Sequence, residues 1–462
     1  MRLPVRDKRS ERIEAIDRWV DEFRGACGDD ELAWTCLPHL LILLRSRADG
    51  SHEPSPFRTR QANDLWNRVR TDATRPTTLV DDHLFFAFSA NQRLAQAPIA
   101  ERLGPERAAP TELAVSDRRE GELMGRAVQL IESLIAIARE HSLELPVRRR
   151  LYVLFFRAVR DLTCWEALLE SVRPRSVTIG STHSAASRSL ALACLRAAVP
   201  CVYVPHAPVL TEARLADLPV DRAALRGPAE VSYYVERGAD GSRIAAIGNP
   251  GVDAAEPELE RADDASPVFA LPTDDDWALE QLAAVVEAAL GDGVIASPHP
   301  RADRDALREL LPASWELWEG RTFELLRQEP PALLQASSGV GLEGLQLGVP
   351  TIELAFPGER PNYPYLSAPE VISVSTSGEL RQAVEAASRL DSAARERIRD
   401  RACAWVCAAG AEAAEAGAEL IRRAAAEGVA AEPVWDAWRA GASAYAERSV
   451  NRGVAGGASS VA

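Results

Sequence analysis

The chain has no excess of positive charge, no paired cysteine motif, no long apolar run and no repeat of fixed period. Acidic residues outnumber basic ones, 68 against 53, for a formal charge of -15. Overall charge therefore gives no support to a nucleic-acid partner, and none is expected. Any anionic ligand has to be held by local groups. The seven cysteines (Cys27, Cys36, Cys164, Cys194, Cys201, Cys403 and Cys407) contain no CxxC pair. Cys403 and Cys407 fall on one face of a helical stretch, but no histidine lies nearby to complete a metal site. They read as reduced, mostly buried thiols of a cytosolic protein. The longest apolar runs, such as Leu40–Leu44, fall far short of the roughly 20 residues of a membrane-spanning helix. The opening segment Met1–Ser10 is charged with no apolar stretch after it, unlike a secretory signal. The expected location is the cytoplasm, with peripheral attachment to the inner membrane face left open.

The 462 residues suffice for two or three domains. Residues 1–75 read as helices: Ile13, Ile16, Trp19, Val20 and Phe23 recur at helical spacing, and Ala33–Leu44 is a second apolar helix. Thr78–Val80 and Leu84–Phe88 fit strand or short helix equally. Gln92–Arg119 has no clear period and reads as a loop-bearing excursion. Glu120–His141 and Arg148–Leu169 are amphipathic helices. Ser176–Gly180, Ala185–Ala198 and Pro200–Val204 then make a strand–helix–strand unit, and Glu230–Val235 and Ile244–Ile247 continue the alternation. The acidic stretch Asp253–Ser266 reads as a linker. A second alternating block follows: Val268–Leu271, Trp277–Leu290, Val294–Ala296, Asp303–Leu311, Trp315–Trp318, Leu333–Gln335, the helix carrying Glu343, Thr351–Leu354 and Glu379–Leu390. Residues 392–427 read as one long helix, and the tail from Gly441 as disordered. The expected division is 1–75 helical, 76–253 a first Rossmann-like domain, 264–390 a second, 391–440 helices and 441–462 tail. Ligands of such sheets bind beyond the carboxyl ends of the strands.

Ala336-Ser-Ser-Gly-Val-Gly-Leu-Glu-Gly-Leu-Gln-Leu-Gly-Val-Pro-Thr-Ile352 is the most informative segment. Ser337, Ser338 and Gly339 precede a helix whose first turn offers backbone N–H groups to an anion. Glu343, one turn in, can accept hydrogen bonds from sugar hydroxyls. Simple capping explains the serines equally well, and the helix dipole alone favours Glu343. His299 follows a strand between Pro298 and Pro300, which fix its direction. It can serve a phosphate or merely close the strand, and Arg301 can pair with a diphosphate or remain solvated. His206, in Val204-Pro-His-Ala-Pro208, faces the cleft from the first block as base, acceptor contact or structural turn. His183, in Gly180-Ser-Thr-His-Ser184, is a second substrate loop or a plain helix start. Asp81, Asp82 and His83 read better as a solvated loop than as a base. Asp274, Asp275 and Asp276 read as helix capping rather than as metal ligands; no metal and no cofactor are expected.

The two-block layout, Pro298-His299-Pro300, and the Ser-Ser…Glu…Gly-Val-Pro segment resemble GT-B glycosyltransferases. The nearest branch is the bacterial surface-polysaccharide enzymes, including capsule, sialyltransferase-like and glycerophosphotransferase members. The resemblance covers roughly residues 175–390. It implies donor-phosphate binding by His299, Ser337 and Ser338, and ribose binding by Glu343, five residues before Gly348. It implies a catalytic or acceptor-side role for His206, although Ala207 stands where such enzymes have glycine. Gly248-Asn-Pro-Gly251 is similar to the turn before their second domain. The acids at 274–276 depart from the phosphate-friendly loop of the family. The implied activity is metal-independent transfer of a sugar from a nucleotide-sugar donor to a glycan or lipid-linked acceptor in bacterial glycan or glycoconjugate synthesis. His206 or His183 would be the base, with His299 at the departing phosphate. Two alternatives share the fold. One is a nucleotide-sugar 2-epimerase, which Gly358-Glu-Arg-Pro361 resembles, although the Gly-rich opening strand of that family is missing. The other is a non-catalytic assembly partner.

Overall fold

The computed structural model describes residues 7–28, 30–45, 65–67, 69, 77–110, 113, 115–140, 148–211, 217–252, 266–272, 276–299, 302–355 and 363–429. Ser51–Pro56, most of the 253–266 linker, Asp274, Asp275, Pro300, Arg301, Gly358–Pro361 and the tail from 441 lie outside these residues.

The first unit runs α1 (Asp7–Cys27), α2 (Glu31–Arg45), β1 (Thr77–Val80), β2 (His83–Phe86), α3 (Ala90–Leu103), β3 (Glu106–Ala108), α4 (Asp117–Glu140), α5 (Arg148–Val172), β4 (Ser176–Ile179), α6 (Ala185–Ala197), β5 (Cys201–Tyr203), β6 (Arg222–Leu225), α7 (Pro228–Val235) and β7 (Ile244–Ala246). Its sheet has the order β3-β1-β2-β4-β5-β6-β7. β1 and β2 form an antiparallel hairpin, whereas β2, β4, β5, β6 and β7 are parallel. The chain leaves β2 toward β3 on one side and returns to β4 on the other, which opens a crevice at their carboxyl ends. β4 and β5 are buried at every position, because helices cover both faces. Leu84 and Phe86 face a core shared with α1, α2, α4, α5 and α6. Phe85 faces the other side, against Ile99 of α3 and Ala414, Ala418 and Ile421 near the chain's far end.

The second unit runs β8 (Val268–Ala270), α8 (Asp276–Leu290), β9 (Ile295–Ser297), α9 (Arg304–Leu310), β10 (Glu316–Leu317), α10 (Thr322–Leu326), β11 (Leu333–Gln335), α11 (Val340–Gln346), β12 (Thr351–Leu354), a 3-10 turn (Pro364–Ser367), β13 (Val371–Val374), α12 (Ser377–Ser388), α13 (Ser392–Ala402) and α14 (Gly410–Glu427). All pairs in its sheet are parallel, in the order β10-β9-β8-β11-β12-β13. Counted from β8 this is 3-2-1-4-5-6, the dinucleotide-binding order, whose switch point lies between β8 and β11. Ile352 and Leu354 face the core under α8, α9 and α12. The alternate positions of β11 and β12 face α10 and α11.

The chain crosses between the units twice. Asn249 N donates to Ala408 O at 2.9 Å and Gly410 N to Asn249 O at 3.2 Å. A side chain at Gly248, φ 95°, would meet the Ala408 carbonyl oxygen at 2.2 Å, so only glycine allows this crossing. Beyond it α14 returns to the first sheet. The result is α/β, two Rossmann-like units facing a cleft in the GT-B arrangement, with α1 and α2 as an N-terminal helical extension. Those two helices complete the first core. Arg188 of α6, fully buried, stacks 4.0 Å from the Trp34 ring centre and donates to the Trp34 carbonyl. His39 Nδ1 accepts from Ala185 N.

Four expectations need correction. Gln92–Arg119 begins with a helix and a strand. The buried face of α3 consists of Gln92, Ala95, Gln96 and Ile99, so small and polar residues hid its period. The long helix over 392–427 is two, α13 and α14, broken where residues 403–409 cross between units. That break takes Cys403 and Cys407 off a common helix face. The 230–235 stretch is helical, with Pro228 in its first turn, and the strand before it is 222–225. In the Asp81–His83 cluster, Asp81 and Asp82 form the expected exposed turn, at the amino end of the parallel strands, but His83 is part of the strand rather than of the loop. There His83 is buried with Nδ1 2.7 Å from Ser176 Oγ.

Candidate functional site

Two turns of the first unit form one wall. After β4, Gly180 packs so tightly on α3 that an added Cβ would lie 2.7 Å from Gln92 Cγ. Ser181 Oγ accepts from the backbone N–H groups of His183 and Ser184, and Ser184 caps α6. After β5, His206 Nδ1 lies 2.7 Å from the Gly180 carbonyl oxygen. A carbonyl can only accept, so Nδ1 carries a proton, and it is on Nε2 that the neutral form of this ring has its lone pair. The His183 and His206 turns are thus joined at Gly180. Below them, the guanidinium of buried Arg226 donates to the carbonyls of Pro205 and Ala207. Glu230, also buried, accepts from Val209 N at 2.9 Å and Arg226 N at 3.0 Å. Burial raises the Glu230 carboxyl above its ordinary range, against the opposing pull of Arg226.

The second unit supplies the facing wall. His299 follows β9 and is half-buried, its carbonyl accepting from Ala302 N. Ser337 follows β11 in a left-handed conformation, φ 49°. Its N–H and Oγ–H both donate to Glu353 Oε1, at 2.8 and 3.3 Å. Ser338 Oγ accepts from Val340 N, and its carbonyl accepts from the Tyr365 hydroxyl, which is also bonded to Gln335. Glu343 lies in the first turn of α11, its carboxyl raised by burial, with Arg321 and then Arg226 acting in the opposite direction. Arg226 belongs to the first unit, so its charge is felt across the cleft.

The walls meet at Gly339, whose Cβ position is 3.0 Å from Pro208 Cδ and 3.9 Å from the Tyr363 hydroxyl. The turn carrying His206 therefore faces the Ser337–Gly339 turn, at the β8/β11 switch point. The His206 turn and Ser337, Ser338 and Gly339 meet in this one region; the His183 turn is tied to it through Gly180 and Glu343 through the charge of Arg226, and His299 lies two strands from β11. Arg301 lies outside the described residues. Sequence reasoning missed Arg226, Arg321, Tyr365 and Glu353. Glu353 left a signal, being a carboxylate inside the otherwise strand-like run Thr351–Leu354. Arg226 left a weaker one, as the charge that ends Ala223–Leu225. Among the described residues, no three His, Cys, Asp or Glu side chains are grouped to hold a metal, and no helix is long and apolar enough to cross a membrane. The cysteines are free thiols.

No protein-family model matches the chain, and no curated protein matches its sequence. Solved structures do. The UDP-GlcNAc 2-epimerase from Methanocaldococcus jannaschii aligns with TM-score 0.39 at 19% identity, over 53% of this chain and 80% of that one. The UDP-GlcNAc 2-epimerase from Neisseria meningitidis, bound to UDP-GlcNAc, aligns with TM-score 0.44 at 13% identity, over 68% and 95%. The glycosyltransferase SnogD from Streptomyces nogalater aligns with TM-score 0.37 at 16% identity, over 57% and 80%. The two sheet orders, rather than these likenesses, carry the fold assignment.

Proposed function

We propose that this chain is a nucleotide-sugar enzyme that binds its nucleotide in the second unit and processes the sugar in the cleft. The observation that carries the reading is the contact of Gly339 with Pro208, which sets the histidine turns opposite the nucleotide crevice of a 3-2-1-4-5-6 sheet. Ser338 and Gly339 would meet the diphosphate, with His299 and Arg301 beside it, and Glu343 the ribose. Arg226 adds a buried positive charge on the side where the phosphates gather. His206, with Nδ1 anchored at the Gly180 carbonyl, would be the base, acting through Nε2 in its neutral form.

Sugar transfer to a glycan or lipid-linked acceptor needs one base, to take the acceptor hydroxyl proton as C1 leaves the diphosphate. His206 meets that need, and transfer is the first reading. A 2-epimerase must remove the C2 proton and return one to the other face, so it needs two proton-handling groups. The joining of the His183 and His206 turns at Gly180 supports that second reading equally well in geometry.

The test starts with calorimetry on UDP, CMP, CDP, GDP and TDP, for the wild type and for His299→Ala and Ser338→Ala. Selective binding of one nucleotide, weakened by both substitutions, is the expected result; no binding by any of them refutes the reading. The corresponding nucleotide sugar is then incubated without acceptor. Formation of its 2-epimer identifies an epimerase, and consumption only on addition of acceptor identifies a transferase. His206→Asn should lower either rate about 100-fold or more.

A further inference from the structure

Glu353 is a charged residue in the middle of a sheet. It is 5% exposed, and its Oε1 takes both donors of Ser337. Its Oε2 is buried with no hydrogen-bond partner. Among the described residues the groups around it offer no positive charge. β11 presents Gln335, its register partner, and β13 presents Ser373. The 3-10 turn presents the Tyr365 phenol, which feels the charges of both Glu353 and Glu343. Among the described residues no arginine, lysine or histidine pairs with it. A buried carboxylate with one orphan oxygen is costly when ionised.

We infer that Glu353 is a positioning residue of the nucleotide site whose protonation is coupled to ligand binding. Its two hydrogen bonds hold Ser337 in the left-handed conformation and so set the turn that presents Ser338 and Gly339. When a diphosphate arrives at that turn, a second negative charge beside an ionised Glu353 is disfavoured. One proton from solvent then binds Oε2, while Oε1 remains the acceptor for Ser337 N–H. Ser337 is on this account a structural member of the turn, and Ser338 is the serine that meets phosphate. Burial pushes the Glu353 carboxyl up to about 7, against the opposing effect of the Ser337 hydrogen bonds, so the exchange falls near neutral pH. The inference rests on the nucleotide reading above.

The test is calorimetric titration with UDP-GlcNAc, UDP-glucose, GDP-mannose and a CMP-linked sugar, in two buffers of different ionisation heat at pH 7.5. A phosphodiester-linked sugar has no group titrating near this pH, so the difference between buffers counts protons taken up by the protein. The wild type should take up a fraction of a proton, and its affinity should fall as pH rises, approaching tenfold per unit well above pH 7. Glu353→Gln keeps an acceptor for Ser337 and has nothing to protonate. Its proton uptake should drop by the Glu353 share, leaving only what the histidines contribute, and its affinity at pH 8 should match the wild type's at pH 6. Glu353→Leu should bind weakly at every pH. Equal proton uptake in the wild type and Glu353→Gln overturns the coupling. Absence of binding by every sugar nucleotide overturns the nucleotide reading and the coupling together. In that case thermal unfolding without ligand still judges the Glu353 proton. The wild type should lose Tm relative to Glu353→Gln between pH 5 and 8, and parallel curves refute the buried-carboxyl assignment.

Discussion

Replacing Arg226 by methionine tests the link between the buried scaffold and the His206 turn. Arg226 is 4% exposed and donates to the carbonyls of Pro205 and Ala207, the residues on either side of His206. Hydrogen bonds from a charged donor contribute about 1.5–3 kcal/mol each, and two buried carbonyls would be left without this donor. The long methionine side chain recovers part of the loss through packing. The net cost should be about 2–4 kcal/mol, read as a lower urea midpoint at unchanged m-value. The functional effect should exceed what stability explains. With the turn released, His206 loses its fixed approach to the cleft, and turnover should fall about 100-fold while the protein stays folded at low temperature. Removing the charge should also push the Glu230 and Glu343 carboxyls further upward, since Arg226 opposes burial at both. Arg226→Lys keeps the charge but loses the planar fork, and should be intermediate. A methionine variant with wild-type stability and wild-type turnover would refute the assignment of Arg226 as the support of the His206 turn.

Other consequences are as direct. Because the folded-state carboxyl of Glu353 lies at about 7 rather than its ordinary 4.5, it contributes stability that is full below pH 4.5 and lost as pH rises through 7. The difference is about 3 kcal/mol, so chemical denaturation should find Glu353→Gln more stable than the wild type at pH 8 by up to that amount. Gly180→Ala should push Gln92 or the Gly180 carbonyl aside, since the new Cβ lies 2.7 Å from Gln92 Cγ, and so disturb the His206 tautomer. Imidazole nitrogen shifts measured by NMR would reveal the change, and an unchanged His206 spectrum would contradict the Gly180 bond. Gly248→Ala meets a backbone carbonyl at 2.2 Å with φ 95°, and should destabilise the crossing by about 3 kcal/mol or more, seen as a lower Tm. Tyr365→Phe removes the hydroxyl that holds the Ser338 carbonyl, and should weaken nucleotide binding about tenfold in calorimetry with little change in Tm.

Local chemistry made much of the chain legible in advance. Apolar runs such as Cys201–Tyr203 and Val268–Ala270 announce parallel strands, since a strand covered on both faces has no reason to alternate. The turns bearing His183, His206, His299 and Ser337 follow from those strand ends, as does the expectation that they border a cleft. α3 stayed hidden because its buried face is built from Gln92, Ala95 and Gln96, which carry no hydrophobic period. The break between α13 and α14 stayed hidden because Ala, Glu and Arg suit a helix on either side of it, while the cause of the break is a contact with Asn249 far away in sequence. Arg226 and Glu353 are silent for the same reason. A charge at a strand end or within a strand acquires a role only from what surrounds it. For Arg226 these surroundings are two carbonyls of another loop and a carboxylate of the other unit; for Glu353 they are a serine in the turn after the neighbouring strand and, among the described residues, no cation. The sequence by itself determined the two alternating blocks and the residue types at their strand ends, because periodicity and turn chemistry are local. Only the tertiary structure decided the strand orders, the meeting of Gly339 with Pro208, and which buried charges lie beside the cleft. Those depend on distances between segments remote in sequence, which no local pattern encodes.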